Sequence, residues 1–477
     1  MGIFVYPKYY FGGNEMAFKK SSKRGLKIII VGCGKVGRTL VDRLSKEGHD
    51  IVIIDKNQDR IDNLTNLYDI MGIQGNGASY SIQVEAGIKD ADLIIAVTNS
   101  DELNLLCCTI AKQVGDCASI ARVRNPDYSK EISYLQEKLG LVMIINPELE
   151  AAREISSILS LPSTLEVSSF AHGQAELVEF QIEEGNVLDG LTIRDLSSNI
   201  SSKVLITAVK RGNDIVIPTG DYILRADDIV CAVGARRFAR TFLYEIGFKT
   251  RQVKDCLIVG GGKASFYLAK LLSQARINVR IIERNKERCE ELSIALPKAT
   301  IINGDGGDES LLREEGIEYV ESFVPLTGID EENILLTLYA NQVSNAKVVT
   351  KVNRISFDNV LSQLNLGSVV YPRHITAESI IAYVRAKSAS GDGDDILTLY
   401  HLFDQKVEAI EFNISEKSKA VGVPFSVLQF KDNVLIAFIN RNGTIIIPSG
   451  SDTIEVGDTV MVVTTHTGFA TILDTLR

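Results

Sequence analysis

The chain has 477 residues, of which 45% are hydrophobic and 23% charged, with a formal net charge of −10. That length predicts two to four domains of ordinary soluble globular composition. The acidic balance and the absence of Trp argue against sequence-independent nucleic-acid binding, and no apolar run approaches the ~18 residues that span a bilayer.

Residues 1–24 hold Tyr6, Tyr9, Tyr10, Gly12 and Gly13, then the basic cluster Lys19, Lys20, Lys23 and Arg24. No continuous apolar segment follows the charges, so this is not a secretory signal but a flexible basic tail, with Met16 as an alternative start. The apolar run Ile28–Val31 then feeds into Gly32-Cys33-Gly34-Lys35-Val36-Gly37. Leu40, Val41 and Leu44 follow at helical spacing, and a second apolar run, Ile51–Ile54, ends in Asp55. Strand, glycine turn, helix, strand and acid form the context that a dinucleotide-binding turn requires. Gly32 permits the tight turn, Gly34 lets a pyrophosphate approach the backbone, and Gly37 lets helix and strand pack closely. The helix N-terminus offers N–H groups to phosphate, and Asp55 can accept from ribose hydroxyls.

Further along come the turn Gln74-Gly75-Asn76-Gly77, the buried strand Ala91–Val97 and the polar stop Thr98-Asn99-Ser100-Asp101-Glu102. A helix spans Leu103–Val114, a strand covers Ser119–Val123 with Arg122 inside it, and a short strand covers Leu141–Ile145. Alternating strands and helices predict a parallel sheet over 25–150, with ligands beyond the carboxyl ends of its strands. The glycine turn, Asp55, Gly75–Gly77, Thr98–Asp101 and Arg122 all fall at those ends. From about Leu165 short strands alternate with turns, with a short helix expected over Leu191–Leu196, giving a small α+β domain over 163–247.

The pattern then restarts. Gly260 lies 228 residues beyond Gly32, and Glu283 lies 228 beyond Asp55. Thr327 and Asn333 each lie 229 beyond Thr98 and Asn104, and Gly450 lies 230 beyond Gly220. The chain is therefore a tandem duplication, with a second nucleotide-type domain over 253–375 and a second small domain over 394–477. The expected fold class is α/β: two Rossmann-like doubly wound parallel sheets, each followed by a small α+β domain.

The strings Gly32–Gly37, Gly75-Asn76-Gly77, Ala96–Glu102 and Ala121-Arg122-Val123-Arg124-Asn125-Pro126 together resemble the TrkA family, the regulatory subunits of bacterial Trk potassium uptake systems. The unit looks like the RCK (KTN) domain, with a Rossmann N-lobe and a C-lobe, and the resemblance covers residues 26–477. It implies a peripheral cytoplasmic regulator on the inner face of the cell membrane. Such a subunit docks on a membrane-embedded potassium translocating subunit, binds NAD(H) and adenine nucleotides (ATP or ADP), and gates the pore as a homo-oligomer, a tetramer. Carried over by position, the first site comprises Gly32, Cys33, Gly34, Lys35, Val36, Gly37, Asp55, Thr98, Asn99 and Arg122. The second comprises Gly260, Gly261, Gly262, Lys263, Ala264 and Glu283. The second half departs from the pattern at Ser265 for the third glycine, Gly328-Ile329 for Asn99-Ser100, and Lys351 for Arg122.

The alternative reading of an NAD site is an NAD-dependent oxidoreductase, which needs a proton-handling residue such as His, or Tyr with Lys. The five histidines do not recur between the repeats. The Tyr134–Lys138 and Tyr383–Lys387 spacings read as solvated helix faces. No catalytic residue is assigned. The acidic clusters Asp305/Asp308/Glu309 and Asp392/Asp394/Asp395 lack the twelve-residue calcium-loop pattern and read as solvated loops, with Asp305 near the second nucleotide; no metal site is assigned. The seven cysteines form no C-x-x-C pair, which fits a reduced cytosolic chain.

Overall fold

A computed structural model of the chain describes residues 25–477 apart from 130, 160–165, 172–173, 197–199, 249–252, 354–363, 365, 389–394, 404–405 and 417. The basic tail, His172 and most of the second acidic cluster lie outside the described residues.

The first Rossmann lobe contains β1 (Lys27–Val31), β2 (Asp50–Asp55), β3 (Met71–Gln74), β4 (Leu93–Ala96), β5 (Ala118–Arg122) and β6 (Met143–Ile145), paired in the order β3-β2-β1-β4-β5-β6. Every pair is parallel. Ile28–Val31 and Leu93–Ala96 are buried throughout, as expected where helices cover both faces of a sheet. The first C-lobe contains β7 (Glu166–Phe170), β8 (Ala175–Gln181), β9 (Val204–Arg211), β10 (Asp214–Val216) and β11 (Ile229–Ala235) in an antiparallel sheet ordered β10-β9-β11-β8-β7. The expected helix over Leu191–Leu196 is replaced over 192–195 by a turn pinned by the isolated bridge between Thr192 and Ile223, with Leu191 and Ile193 packed inward on the C-lobe core, and Leu196 alone of the six is helical.

The second half repeats this plan. β12 (Asp255–Val259), β13 (Asn278–Glu283), β14 (Ala299–Asn303), β15 (Ser322–Pro325), β16 (Lys347–Lys351) and β17 (Ser368–Val370) run in the order β14-β13-β12-β15-β16-β17. β18 (Asp395–Leu402), β19 (Val407–Asn413), β20 (Val434–Arg441), β21 (Thr444–Ile446) and β22 (Thr459–Thr464) form the last sheet in the order β18-β19-β22-β20-β21. The duplicated α/β class expected from the repeat is the one observed.

The halves interlock through two helices. Pro147–Leu159 follows the first Rossmann lobe, and Asn146 caps it by accepting from the Leu149 N–H at 3.1 Å. Its buried Ala151, Ala152, Ile155 and Leu159 pack with Leu268, Leu272 and Ile281 of the second lobe. Pro372–Ser388 returns the exchange: Ala377, Ile380, Ile381 and Val384 join Leu40, Val41 and Leu44 of the first lobe. Each lobe is thus completed by a helix from the other half. Tyr383 packs against that first-lobe core, so its Tyr–Lys spacing is not a solvated face as expected, whereas Tyr134 is exposed. The two C-lobe sheets also share one core, with Phe170, Leu177, Ala208 and Val233 meeting Phe438, Ala409, Met461 and Val463.

Candidate nucleotide site

The first glycine turn is built for close approach. Gly32 sits at φ +102°, and its N–H donates to the Ile54 carbonyl at 2.8 Å. A side chain at Gly32 would press on the Thr98 backbone nitrogen at 3.0 Å, and one at Gly37 would strike the Gly32 carbonyl at 2.0 Å. Gly34 differs, because a Cβ there meets nothing within 4 Å. It opens onto a cavity, caps the helix Lys35–Lys46 and supplies no side-chain cap to its first turn. Those N–H groups are the expected phosphate donors. Asp55 accepts from the Cys33 N–H at 2.6 Å and the Asn57 N–H at 2.9 Å, with Arg60 3.8 Å away. Burial and the neighbouring Asp55 push the Cys33 thiol up to about 12, so it carries no thiolate chemistry at neutral pH.

The opposite wall is held by a residue that motif reasoning left without a role. Asn104 is fully buried; its Oδ1 accepts from the Thr98 N–H at 2.8 Å and hydroxyl at 2.7 Å, and its Nδ2 donates to the Arg122 carbonyl at 2.9 Å. Asn333 repeats this on Thr327 and Lys351, at 2.9 Å to the Thr327 N–H and 3.0 Å to the Lys351 carbonyl. The repeat arithmetic marked both asparagines, but their roles run through backbone groups that no motif displays. Arg122 donates through Nη2 to the Thr98 carbonyl and to Asn99 Oδ1, while its buried Nε has no partner. Burial and Arg124 draw its pKa down to about 10. Arg124 in turn ties the Asn99 carbonyl to Asp101 and reaches Glu148 at 3.7 Å.

Two cavities meet at this turn. One, of about 370 Å³, is lined by Gly32, Gly34, Asp55, Gly75, Thr98 and Asn99. The other, of about 940 Å³, runs between the Rossmann lobes. Lys35, Arg38, Arg60, Arg122 and Arg124 line it from the first half and Lys351 and Arg373 from the second, against Glu148. Val36 is buried beneath it, and Ala264 of the second turn reaches its rim. The cationic lining suits a ligand that carries several negative charges.

In the second lobe, Glu283 accepts from the Gly261 N–H and the Asn285 N–H, both at 2.7 Å, as Asp55 does in the first. Gly260 has φ +97°, and Gly262 has open space where a Cβ would stand. Ser265 donates to the Gly260 carbonyl at 2.5 Å, and Arg288 donates to the Gly261 carbonyl at 2.8 Å. The second turn is therefore tied inward by two side-chain bonds of its own. Lys263 turns toward the first half and stands 4.0 Å from Asp101. Lys351 donates to the Thr327 carbonyl at 2.7 Å, repeating the Arg122 contact. Asp305 accepts from the Gly307 N–H at 2.9 Å, Asp308 accepts from the Ser310 N–H at 2.9 Å, and Glu309 pairs with Arg313 at 3.0 Å. Among the described residues no cluster could hold a metal ion.

The TrkA-N domain model matches residues 28–147 and 256–372, and the TrkA-C domain model matches 177–259 and 409–477. The chain belongs to the TrkA family. A relative from Methanosarcina mazei, named Trk system potassium uptake protein TrkA homolog 1, is 34% identical over 92% of this chain and 97% of its own length. Trk system potassium uptake protein TrkA of Haemophilus influenzae is 30% identical over 92% of this chain and 95% of its own. A solved structure described as the GsuK channel bound to NAD superposes with a TM-score of 0.61 at 18% identity, over 92% of this chain and 77% of that one. The GsuK RCK domain superposes at 0.61 with 16% identity, over 92% of each chain. These likenesses place the TrkA-family chain in the RCK fold. Among its described residues no helix is long and apolar enough to cross a membrane.

Proposed function

We propose that the chain is the regulatory subunit of a Trk-type potassium uptake system. In this reading NADH or an adenine nucleotide at the first turn shifts the arrangement of the lobes and so gates a membrane-embedded translocating subunit. The observation that carries the reading is the continuity of the two cavities. A nucleotide seated on Gly34 and Asp55 points its phosphates into a cleft whose far wall, Lys351 and Arg373, belongs to the other half. Its affinity then depends on how the lobes sit, and differential affinity is what biases a two-state equilibrium. The relatives named as Trk uptake proteins and the NAD-bound GsuK channel support the ligand class and the transport role. A homo-oligomer follows from the same reading, with a tetramer expected and a cytoplasmic position against the membrane.

The oxidoreductase reading gains nothing from the site, since neither cavity is lined by a histidine or tyrosine among the described residues. The test is reconstitution with the translocating subunit. Potassium flux should change with NADH or ADP, while NADH absorbance stays constant against a panel of carbonyl compounds. Sustained turnover without an effect on flux would reverse the assignment.

A further inference from the structure

The helix that presents its N-terminus to the first cavity ends at Glu47, and that end is locked into a buried ionic chain. Arg385, on the helix Pro372–Ser388, donates to Glu47 Oε1 from Nη2 at 2.6 Å and from Nε at 3.0 Å. The same guanidinium holds Glu408 of β19 through Nη1 at 2.9 Å and Nη2 at 3.1 Å. His401 of β18 stands between two carboxylates, its Nδ1 3.0 Å from Glu378 and its Nε2 3.5 Å from Glu408. The Gly468 N–H also donates to Glu408, at 3.2 Å. The Arg385 side chain is 6% exposed and that of Glu408 1%, whereas Glu47 keeps 21%. Sequence separation hides the chain: Glu47 and Arg385 are 338 residues apart.

Among the described residues the duplication does not repeat it. The helix Lys263–Gln274 ends at Ala275 in place of Glu47. β7 carries Ser169, and not a histidine, opposite Glu176, the position that His401 holds opposite Glu408. Glu176 pairs instead with Arg236 of its own lobe at 3.2 Å. At the described positions the second junction lacks the counterparts of Glu47 and His401, so this chain of contacts is not a requirement of the fold.

We propose that the Glu47–Arg385–Glu408–His401–Glu378 chain is a proton-sensitive strut that couples the first nucleotide-facing helix to the last C-lobe, with Arg385 as positioning residue and His401 as the titrating member. The inference rests on the nucleotide-switch reading above. A rigid helix carries displacement from its phosphate end to Glu47, and the fork of Arg385 passes it to β19 with little slack, because two carboxylates hold one planar cation. Other charged groups face the chain from each packed element. Arg43, Lys46 and His49 come from the first lobe, with His49 4.0 Å from Glu47. Arg373 and His374 come from the crossing helix. Burial, Arg43 and Arg373 draw His374 down to about 4, which leaves it neutral at physiological pH. Burial opposes charge on His401, but Glu378 and Glu408 outweigh it and raise its pKa above 6.5. Burial raises Glu378 as well, while Arg385 and His401 hold Glu408 below its ordinary range despite burial. A raised histidine pKa contributes stability that is full below the unfolded value and is lost as pH rises through the folded one. The strut is therefore tight on the acid side of the His401 titration and slack on the alkaline side.

The test uses the full chain and NADH as probe, with ADP in parallel. Calorimetry reads affinity, and hydrogen exchange of the β19 amides, corrected for intrinsic rate, reads the response at about pH 6, the acid side of a raised histidine titration, and at a second pH stepped upward until the response stops changing. Wild type should change β19 protection on NADH binding by at least about fivefold at the lower pH, the small end of ordinary coupling, and by less at the higher pH. Glu47→Gln should bind NADH within about twofold of wild type yet lose more than half of the β19 response, since at most one weak coupling step is removed from the binding site itself. Arg385→Lys should retain an intermediate response. His401→Gln should respond equally at both pH values. Thermal melting identifies a variant that is merely unfolded, and Glu47→Gln leaves Arg385 still neutralised by Glu408. A full β19 response in Glu47→Gln, or a wild-type pH profile in His401→Gln, overturns the strut. No calorimetric signal from either nucleotide in wild type overturns the switch reading beneath it.

Discussion

At Gly37 a single methyl group meets a carbonyl oxygen 2.0 Å away, while at the matching position Ser265 is accommodated and bonds to the Gly260 carbonyl. The first turn is thus the tighter of the two. Gly37→Ala should destabilise the chain by about 1–3 kcal/mol, the usual range for overpacking, read as a lower urea midpoint. Asp55 sets a second expectation. It lines the cavity and already accepts from the turn, so a 2′-phosphate would meet its carboxylate where a 2′-hydroxyl could donate to it. NADH should bind at least about tenfold tighter than NADPH by calorimetry, a difference of about 1.4 kcal/mol, and Asp55→Ala should narrow that gap. Equal affinities would remove Asp55 from the ribose-reading role. These residues were legible in the sequence because the turn is local: three glycines, a helix and an acid within two dozen positions. Asn104, Asp101 and Arg124 carry no motif, because their partners, such as the Arg122 carbonyl, the Arg124 N–H and the Glu148 carboxylate, are brought close only by the sheet.

The helices Pro147–Leu159 and Pro372–Ser388 mark the limit of periodicity as a guide. Their apolar spacing predicts a buried face and says nothing about which lobe receives it. A boundary at residue 150 cuts through the first of them, and the structure buries Ile155 and Leu159 in the second lobe. The exchange has a measurable consequence. Ile155 is fully buried, so Ile155→Ala should cost about 2–5 kcal/mol through lost contacts and a cavity. The loss should fall on the lobe that the helix covers and not on the lobe it follows. Hydrogen exchange should accelerate in β12 before β1. The reverse order would mean that the helix belongs energetically to its own half. Leu191–Leu196 makes a related point, since six residues with three inward apolar side chains fit a turn as well as a helix, and the bridge between Thr192 and Ile223 makes 192–195 a turn.

The whole molecule is a duplicated chain whose halves have diverged at the site while keeping one fold. The duplication and the fold class are legible in the sequence, because strand-turn-helix punctuation survives in both copies at a near-constant spacing. The interlocking of the halves stayed hidden, since it depends on contacts between residues hundreds of positions apart. Divergence predicts unequal roles. In the first half the turn opens into a cleft walled by arginines and lysines from both halves. In the second, Ser265 and Arg288 tie the turn inward. A Cβ at Gly34 or at Gly262 meets nothing within 4 Å, so alanine at either should leave the ligand-free fold intact. Gly34→Ala should nonetheless put a methyl group where a phosphate must approach the backbone and abolish most nucleotide-dependent change in potassium flux. Gly262→Ala should have a smaller or qualitatively different effect. The comparison is made in one reconstituted system, with melting temperatures measured alongside. Matching flux defects in the two variants, or a defect in Gly262→Ala alone, would show that the asymmetry between the turns is not what decides the response.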